Sequence, residues 1–421
     1  MPPPTPLIIG SGIAGPILAI LLKRKGYHPL VFEKVPALGD AGASLMLMPN
    51  GMKILNLITP TTTLLSTRNP LTTLWHGTAS GDTTLGESNL PSTYTERYTQ
   101  PAMGIKRTEL NLHLKELLVE NGIPLYEGYN LCNFDEDEEL KTVMAYFTNG
   151  ERVTGSFLVG CDGIKSSTRR ILLSRQGVSE GDPVFTGLLQ VAGISRGDLG
   201  GMLGERGVGG LSNWYGEGVH VVGYPVSSSS GSGDGEMSWA VTLAGTEVEE
   251  TWKAVSDGEE MERRKAMLRE KLVGFEPGLL EMVERANRII SYGLFDRAEV
   301  AAEQWFSSRA VLVGDAAHPT SPHLGQGGNQ ALEDCYHLSR LLPDVSEGAV
   351  VDGLEDIFGE FARLRQPHTA ALVKQARHLG EQRVVLGGPE RCRERDAGIV
   401  AAWSDQEAVA EGLDRLFREP F

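Results

Sequence analysis

The chain has 421 residues, of which 41 % are hydrophobic and 22 % charged, the balance of a globular protein too long for one minimal core. Asp plus Glu number 55 against 39 Lys plus Arg, a net charge of −16 that disfavours nucleic acid or an anionic membrane surface as the main partner. Four widely spaced cysteines (Cys132, Cys161, Cys335, Cys392) form no Cys-x-x-Cys pair, so no disulfide framework, no structural zinc and no metal site is expected.

In chain order, residues 7–9 form a short apolar run that reads as a buried strand ending at Gly10. Residues 13–25 read as a helix with Pro16 near its start, where a missing N–H costs little, and Gly26 stops it. Residues 29–33 form a second strand ending in Glu33. Gly10-Ser-Gly12-Ile-Ala-Gly15 thus lies between a strand and a helix, with an acid about 20 residues on, the context that gives this glycine spacing its meaning. Gly10 permits the tight turn, Gly12 lets backbone approach a pyrophosphate, and Gly15 lets helix and strand pack closely. The helix N-terminus offers N–H groups and positive dipole to phosphate. Glu33 accepts from ribose hydroxyls and repels a 2′-phosphate, so adenosine of FAD or NAD is expected rather than of NADP.

Residues 35–50 read as loop, punctuated by Gly39, Gly42 and Pro49-Asn50. Residues 108–121 read as an amphipathic helix closed by Gly122, and 156–159 as a strand leading to Gly160-Cys161-Asp162-Gly163. That second glycine group, taken alone, is a common strand-end turn. Between 184 and 243 the pattern becomes β-like, in runs 187–194, 220–226 and 238–243, and the Ser/Gly stretch 227–235 reads as a mobile hairpin tip. Residues 247–288 read as helical and charged, 309–313 as a strand, 328–342 as a helix, and 358 onward as a helical C-terminal segment. The strand 309–313 presents a third glycine group, Gly314-Asp315-Ala-Ala-His318, followed by Pro322 and Gly325-Gln326-Gly327-Gly328-Asn329. The bland alternative for Asp315 is a helix N-cap, a common place for Asp at such a turn. No signal segment, no apolar run of about 18 residues and no internal repeat is visible, so a cytoplasmic protein without a membrane span is expected.

The three glycine groups, in this order, resemble the single-component FAD-dependent aromatic monooxygenases of the p-hydroxybenzoate hydroxylase type, and the fungal salicylate-hydroxylase-like members above all. The similarity runs over about residues 5 to 345 in motif order. It implies an α/β fold: a Rossmann-like FAD-binding domain (1–75, 101–180, 289–345) interleaved with a β-sheet substrate domain (76–100, 181–288), plus a C-terminal helical segment (346–421). It implies that Asp315 holds the ribitol chain, and that the Gly325, Gly327, Gly328 and Asn329 turn opens a helix toward the flavin pyrimidine edge. Asp162 belongs to the motif that supports FAD and the approach of NAD(P)H, and the family's usual Ala is Cys161 here, read as packing. Arg107 matches an arginine near the flavin, its alternative being a solvated helix-start arginine. Ala43, ahead of Pro49-Asn50, matches a loop beside the flavin, its alternative being plain loop packing.

The chemistry the resemblance implies is reduction of FAD by NADH or NADPH, capture of O₂ as a flavin C4a-hydroperoxide, and hydroxylation of a small aromatic, with or without decarboxylation. Tyr224 falls where relatives carry an active-site tyrosine; a half-buried strand tyrosine is the alternative. Some fungal relatives carry an arginine where this chain has Ala192, which makes the pocket more apolar. His318 and His323 read as structural, and Trp214, Tyr215 and His220 as pocket residues whose facing the alternation leaves open. A second strand–GxGxxG–helix, a Trp-x-Trp pair, a Walker loop and His-Glu-x-x-His are all absent, which argues against a separate NADPH domain, a halogenase, a kinase-type site and a zinc protease. Two other readings stand beside this one. One is a same-fold tailoring epoxidase or hydroxylase of an indole or terpenoid in secondary metabolism. The other is a non-catalytic flavin-binding redox sensor.

Overall fold

The structure is a computed structural model describing residues 3–37, 42, 44–60, 63–64, 68–228, 234–246, 258–345 and 351–421. One of its two large sheets is five-stranded and parallel, in the order Ala310–Leu312, Phe157–Gly160, Pro6–Ile9, Leu30–Glu33, Leu125–Glu127. Pro6–Ile9 is buried on both faces, as a parallel strand between helices must be, and this is why it reads as an unbroken apolar run. The three strands that carry the glycine groups are neighbours here, although they lie hundreds of residues apart in sequence. Each ends in its glycine turn at the same edge of the sheet, the place where open α/β sheets bind ligands.

A seven-stranded sheet follows the order Ala286–Asp296, Val184–Asp198, Asp234–Ala244, Val219–Ser228, Gly210–Tyr215, Thr73–Thr78, Thr84–Ser88. Its pairs are antiparallel except that Gly210–Tyr215 runs parallel to Thr73–Thr78. Alternation sorts the sheet into two faces. Trp75, Trp214, Val221, Trp239, Val241 and Ile289 face helices Gly258–Lys271 and Pro277–Glu284 and form one core. The opposite face carries His76, Asn213, Tyr215, His220, Val222, Tyr224, Ser238, Ala240, Thr242, Gln190, Ala192 and Tyr292, placed there by the register of five strand pairs. Trp214 therefore leaves the pocket face that sequence could not assign, and its Nε1 donates to Glu276 Oε2 at 2.6 Å. Tyr215 and His220 lie on the polar face.

Two expectations need correction. The stretch 35–50, read as loop, contains the strand Ser44–Leu47 and the start of helix Pro49–Ile58. Pro49 punctuates that helix as its first residue, and the strand exists only through pairing with Met103–Lys106, remote in sequence. Within 247–288, residues 247–257 lie outside the described residues. The helical reading there fails at Ala286, which opens the sheet strand Ala286–Asp296. Strands Val219–Ser228 and Asp234–Ala244 form the expected hairpin, while 229–233 at its tip lie outside the described residues.

Helix Leu354–Arg383 begins the C-terminal segment and packs on helix Gly327–Leu341. Helices Pro389–Ser404 and Gln406–Phe417 then cross to the seven-stranded sheet, where Trp403 stacks on His76 and Phe417 packs between Tyr94 and Tyr98. Among the described residues no helix is long and apolar enough to cross a membrane.

Candidate functional site: a cavity at the ends of three strands

The three glycine turns open onto one cavity of about 250 Å³. Of the residues singled out from sequence, Gly10, Gly12, Glu33, Arg107, Asp162, Asp315, Gly327 and Gly328 line it. Gly15, Gly325, Asn329 and Tyr224 do not, and Ala43 lies outside the described residues.

At the first turn Gly10 has φ +105°, and a Cβ there would sit 2.4 Å from the carbonyl oxygen of Cys161. Only glycine lets strand Pro6–Ile9 and the second glycine turn run this close. A Cβ on Gly15 would lie 2.0 Å from the Gly10 oxygen, so Gly15 serves the seam between helix and strand behind the cavity wall. A Cβ on Gly12 would meet nothing within 4 Å, because the space in front of it is the cavity itself. Glu33 is fixed by the turn it faces: its Oε2 accepts from Ser11 N at 2.8 Å and its Oε1 from Val35 N at 3.0 Å.

Asp162 has a structural task as well as a place in the lining. It accepts from Ser166 Oγ at 2.5 Å, Thr168 N at 3.0 Å and Thr168 Oγ1 at 3.1 Å, and so caps helix Ser167–Arg175 together with Ser166. Burial pushes its carboxyl above the usual range despite those bonds. Cys161 lines the cavity, and burial with the nearby Asp162 and Asp334 charges raises its thiol well above normal, so it stays protonated and unreactive.

Asp315 opens into the cavity while protein walls it on its other sides, and that desolvation raises its carboxyl; His318 and Arg107 pull the other way. Among the described residues its carboxylate makes no hydrogen bond, so the N-cap reading does not describe it. The turn that presents it is held from behind. Asp334 Oδ2 accepts from Gly314 N at 2.9 Å and lies 2.6 Å from His318 Nε2, and its Oδ1 meets Arg365 Nε at 2.7 Å. Arg365 also pairs with Glu333 at 2.9 Å and with Gln330 Oε1 at 2.6 Å, and Asn50 Nδ2 donates to Glu333 at 2.6 Å. Burial raises Asp334, but His318 and Arg365 outweigh it and hold this carboxyl well below the usual range. Sequence reading missed Asp334 and Arg365. The only signal was an Asp and a Glu on an otherwise buried helix face, which demand partners that the sequence does not identify.

The turn before helix Gly327–Leu341 works similarly. Gly327 and Gly328 bring the helix N-terminus to the cavity wall. Asn329 turns away: its Nδ2 donates to Met46 O at 3.0 Å and Gly325 O at 2.8 Å, and its Oδ1 accepts from Met48 N at 3.0 Å. It fastens strand Ser44–Leu47, which supplies Leu45 to the lining, to that helix. Lys165, Tyr129 and Asn130 also line the cavity and were not singled out; Lys165 follows the second glycine group closely enough to have been considered.

Tyr224 lies on the polar face of the seven-stranded sheet, half-buried, its hydroxyl 2.6 Å from Ser44 Oγ. Ser44 Oγ in turn donates to Ser238 Oγ at 2.5 Å, so this tyrosine joins the sheet to the strand beside the cavity. Burial raises the phenol of Tyr224, and that of Tyr292 nearby, whose hydroxyl donates to Gln190 Oε1. Ala192 sits between Ala240 and Ile290, a small apolar floor. His318 stacks on Trp305 and bonds Asp334. His323, which burial holds neutral with a pKa lowered to about 3, packs on Gly380.

These residues fit FAD. Two helix N-termini, Ala14–Arg24 and Gly327–Leu341, give onto one cavity, where their N–H groups and dipoles suit a pyrophosphate and an electron-rich ring edge. Gly12 and Gly163 face open space that any Cβ would enter, and Glu33 and Asp315 offer carboxylates to hydroxyls. Fold and cavity together define a flavin-binding oxidoreductase of the p-hydroxybenzoate hydroxylase type.

The chain belongs to the FAD binding domain family, whose model matches residues 5–192 and 217–376. It is 29 % identical over 394 residues to 3-amino-4-hydroxybenzoate 2-monooxygenase of Streptomyces cremeus, covering 94 % of this chain and 91 % of that one. It is 27 % identical over 352 residues to 3-hydroxybenzoate 6-hydroxylase 1 of Aquipseudomonas alcaligenes, covering 81 % and 82 %. Its fold matches that of Klebsiella pneumoniae HpxO complexed with FAD and uric acid, with a TM-score of 0.81, 20 % identity and coverage of 99 % and 97 %. The chain is an FAD-dependent monooxygenase.

Proposed function

We propose that the protein uses NADH or NADPH and O₂ to hydroxylate a small aromatic substrate lying on the polar face of the seven-stranded sheet. The observation that carries this reading is the placement of Tyr224, bonded through Ser44 to the strand Ser44–Leu47 that walls the flavin cavity, on a face with an apolar floor at Ala192 and Ala240. Such a surface suits a flat ring carrying one or two polar groups. Two of the relatives named above act on substituted hydroxybenzoates, which favours the aromatic reading over an indole or terpenoid. Their monooxygenase activity likewise leaves the redox-sensor reading without support.

FAD, when bound, supplies the two-electron redox chemistry and the activation of O₂. The chain's residues then have separate tasks. Gly10, Gly12, Glu33, Asp162, Asp315, Gly327 and Gly328 would hold the dinucleotide, Arg107 and Ala43 would lie beside the ring, and Gly15, Gly325 and Asn329 would shape the wall behind it. Tyr224 orients the substrate through its hydroxyl. His220 offers a proton acceptor: its Nε2 lies 3.0 Å from Asn213 Oδ1, which fixes the hydrogen on Nε2 and leaves the buried Nδ1 a bare acceptor without a partner. Burial lowers the pKa of this ring far below normal and keeps it neutral. A phenol donating to Nδ1 becomes more electron-rich at the ring carbon attacked. The overall balance is aromatic C–H, O₂, NAD(P)H and a proton giving aromatic C–OH, NAD(P)⁺ and water; a ring carboxyl leaving as CO₂ is the decarboxylating variant.

In domain terms, the division proposed places FAD binding in 1–75, 101–180 and 289–345 and the substrate in 76–100 and 181–288, with strands Thr73–Thr78 and Ala286–Asp296 straddling the junctions. The test is to record the flavin spectrum of the purified protein, then follow NADH, NADPH and O₂ consumption with phenols, hydroxybenzoates and indoles. Substrate-stimulated consumption with a hydroxylated aromatic product is expected. Flavin that no aromatic makes reducible by either nucleotide would overturn the reading.

A further inference from the structure

Arg383 ends helix Leu354–Arg383 and reaches the polar face of the seven-stranded sheet. Its Nη1 donates to the backbone oxygen of His323 at 2.6 Å, and its positive charge opposes the rise that burial gives the phenol of Tyr215, whose hydroxyl lies 2.9 Å from His76 Nδ1. His76, His220 and His323 all face it, and all three are buried. Among the described residues no carboxylate pairs with Arg383, whereas its neighbours Arg377 and Arg395 pair with Asp296 at 2.5 Å and Asp396 at 2.8 Å. A half-buried guanidinium among neutral rings is a charge without a counter-charge, and proteins pair such charges or leave them for a ligand.

Among the described residues no carboxylate lies within ion-pair distance to supply the anion. Burial and the guanidinium itself hold the three imidazoles uncharged, so they add donors and acceptors but no compensating charge. On the adjoining strand Val184–Asp198 the position facing Ala240 is the small, uncharged Ala192, and the strand's one arginine, Arg196, is exposed at its far end opposite Glu236. Space lies next to the site: His323, whose carbonyl Arg383 holds, lines a cavity of about 350 Å³ together with Phe185, Leu188, Gly380 and Glu381, and the Asp296 carboxylate in its wall is already paired with Arg377.

We infer that Arg383 is the specificity-determining anion clamp of this enzyme, binding the carboxylate of an aromatic acid substrate from the C-terminal helix rather than from the sheet. This rests on the aromatic-hydroxylase reading above. A guanidinium fork matches a carboxylate in two parallel hydrogen bonds, with the Tyr215 hydroxyl and His220 Nδ1 at its flank for a second ring substituent. The substrate class is therefore a hydroxylated or aminated benzoate in its ionised form, in preference to the same ring without the carboxyl group.

The test uses FAD-loaded wild-type protein, Arg383→Gln and Arg383→Lys, each checked for flavin content and unfolding temperature. Benzoate and benzamide are the probes, with binding read by calorimetry and by perturbation of the flavin spectrum. The clamp predicts that Arg383→Gln weakens benzoate roughly 10- to 100-fold, the worth of charge-assisted hydrogen bonds, and leaves benzamide within about twofold. Arg383→Lys recovers part of the loss, and for a hydroxybenzoate that is turned over KM rises while kcat holds. Equal loss of both probes, unchanged benzoate binding in Arg383→Gln, or no benzoate binding by the wild type would each overturn it. The wider reading fails separately: benzoate binding that depends on Arg383 without hydroxylation of any aromatic leaves the clamp standing and removes the proposed activity.

Discussion

Arg365 Nε lies 2.7 Å from Asp334 Oδ1, and the opposite oxygen of that carboxylate holds Gly314 N, so an arginine of the C-terminal helix fixes the turn that presents Asp315. The pair is almost fully enclosed, with side-chain exposures of 3 % and 0 %. Removing Arg365 takes the guanidinium from two buried carboxylates, Asp334 and Glu333, and leaves Asp334 only His318 and Gly314 N, which costs about 3–5 kcal/mol. Arg365→Leu should therefore lower the unfolding free energy by about that amount and release FAD, read by thermal unfolding and flavin absorbance. The sign with pH follows from Asp334: its folded pKa is depressed, so its contribution is present above the ordinary carboxylate value of about 3.9 and is lost as pH falls below it toward the folded one. The difference between wild type and Arg365→Leu should shrink on acidification. A variant as stable as wild type at neutral pH would refute this account.

Asp315 predicts the opposite sign. Its folded pKa is raised by desolvation, so its ionised form opposes folding in the flavin-free protein. That penalty is absent below the unfolded value of about 3.9, grows as pH rises through the folded one, and is complete above it. Asp315→Asn should thus make the flavin-free protein at least as stable as wild type at pH 7, with an advantage that disappears on acidification, while FAD binds more weakly. Equal FAD affinity in titrations of the two proteins would remove Asp315 from the proposed site.

Gly12 and Gly15 should separate binding from folding. A Cβ at Gly12 meets only cavity, so Gly12→Ala should change stability by no more than about 0.5 kcal/mol and weaken FAD at least about tenfold. At Gly15 the Cβ strikes backbone 2.0 Å away, so Gly15→Ala should destabilise by about 1–3 kcal/mol. Paired unfolding curves and flavin titrations check both. An Ala at position 12 that leaves FAD affinity intact would contradict the placement of the cofactor.

Tyr224→Phe removes one hydroxyl bonded to Ser44, a loss of about 0.5–1.5 kcal/mol in stability. With Tyr224 in its proposed role, kcat for a phenolic substrate should fall roughly 10- to 100-fold while flavin content stays at the wild-type level. Steady-state kinetics on the best substrate decides it, and an unchanged kcat would reduce Tyr224 to a strut between sheet and strand.

Local pattern alone determined much of this protein. The apolar runs before Gly10, Gly160 and Gly314 are strands because each is short, unbroken and followed by a turn that only glycine accommodates. A parallel strand buried on both faces writes that pattern directly into sequence. The spacing from Gly15 to Glu33 likewise reported a strand–helix–strand unit with an acid at its end. What escaped was everything that depends on partners far away. Ser44–Leu47 is a strand only because Met103–Lys106 pairs with it, and Asn329 faces inward only because Met46 and Met48 meet it there. Sequence grouped Asn329 with the glycines that face the cavity, but helical rotation points it to the opposite side.

The same division holds for chemistry. That three glycine turns belong to one site is a statement about residue types and order, which the sequence could make, and all three line one cavity. That Arg365 and Asp334 brace one of those turns, that His220 keeps a bare Nδ1, and that Arg383 reaches the sheet without a carboxylate partner are statements about which charges and lone pairs meet. Hydrogen bonds and buried charges act over a few ångströms, and only the tertiary fold brings Arg365 to Asp334, 31 positions away, or Asn329 to Met46, 283 positions away, within that range.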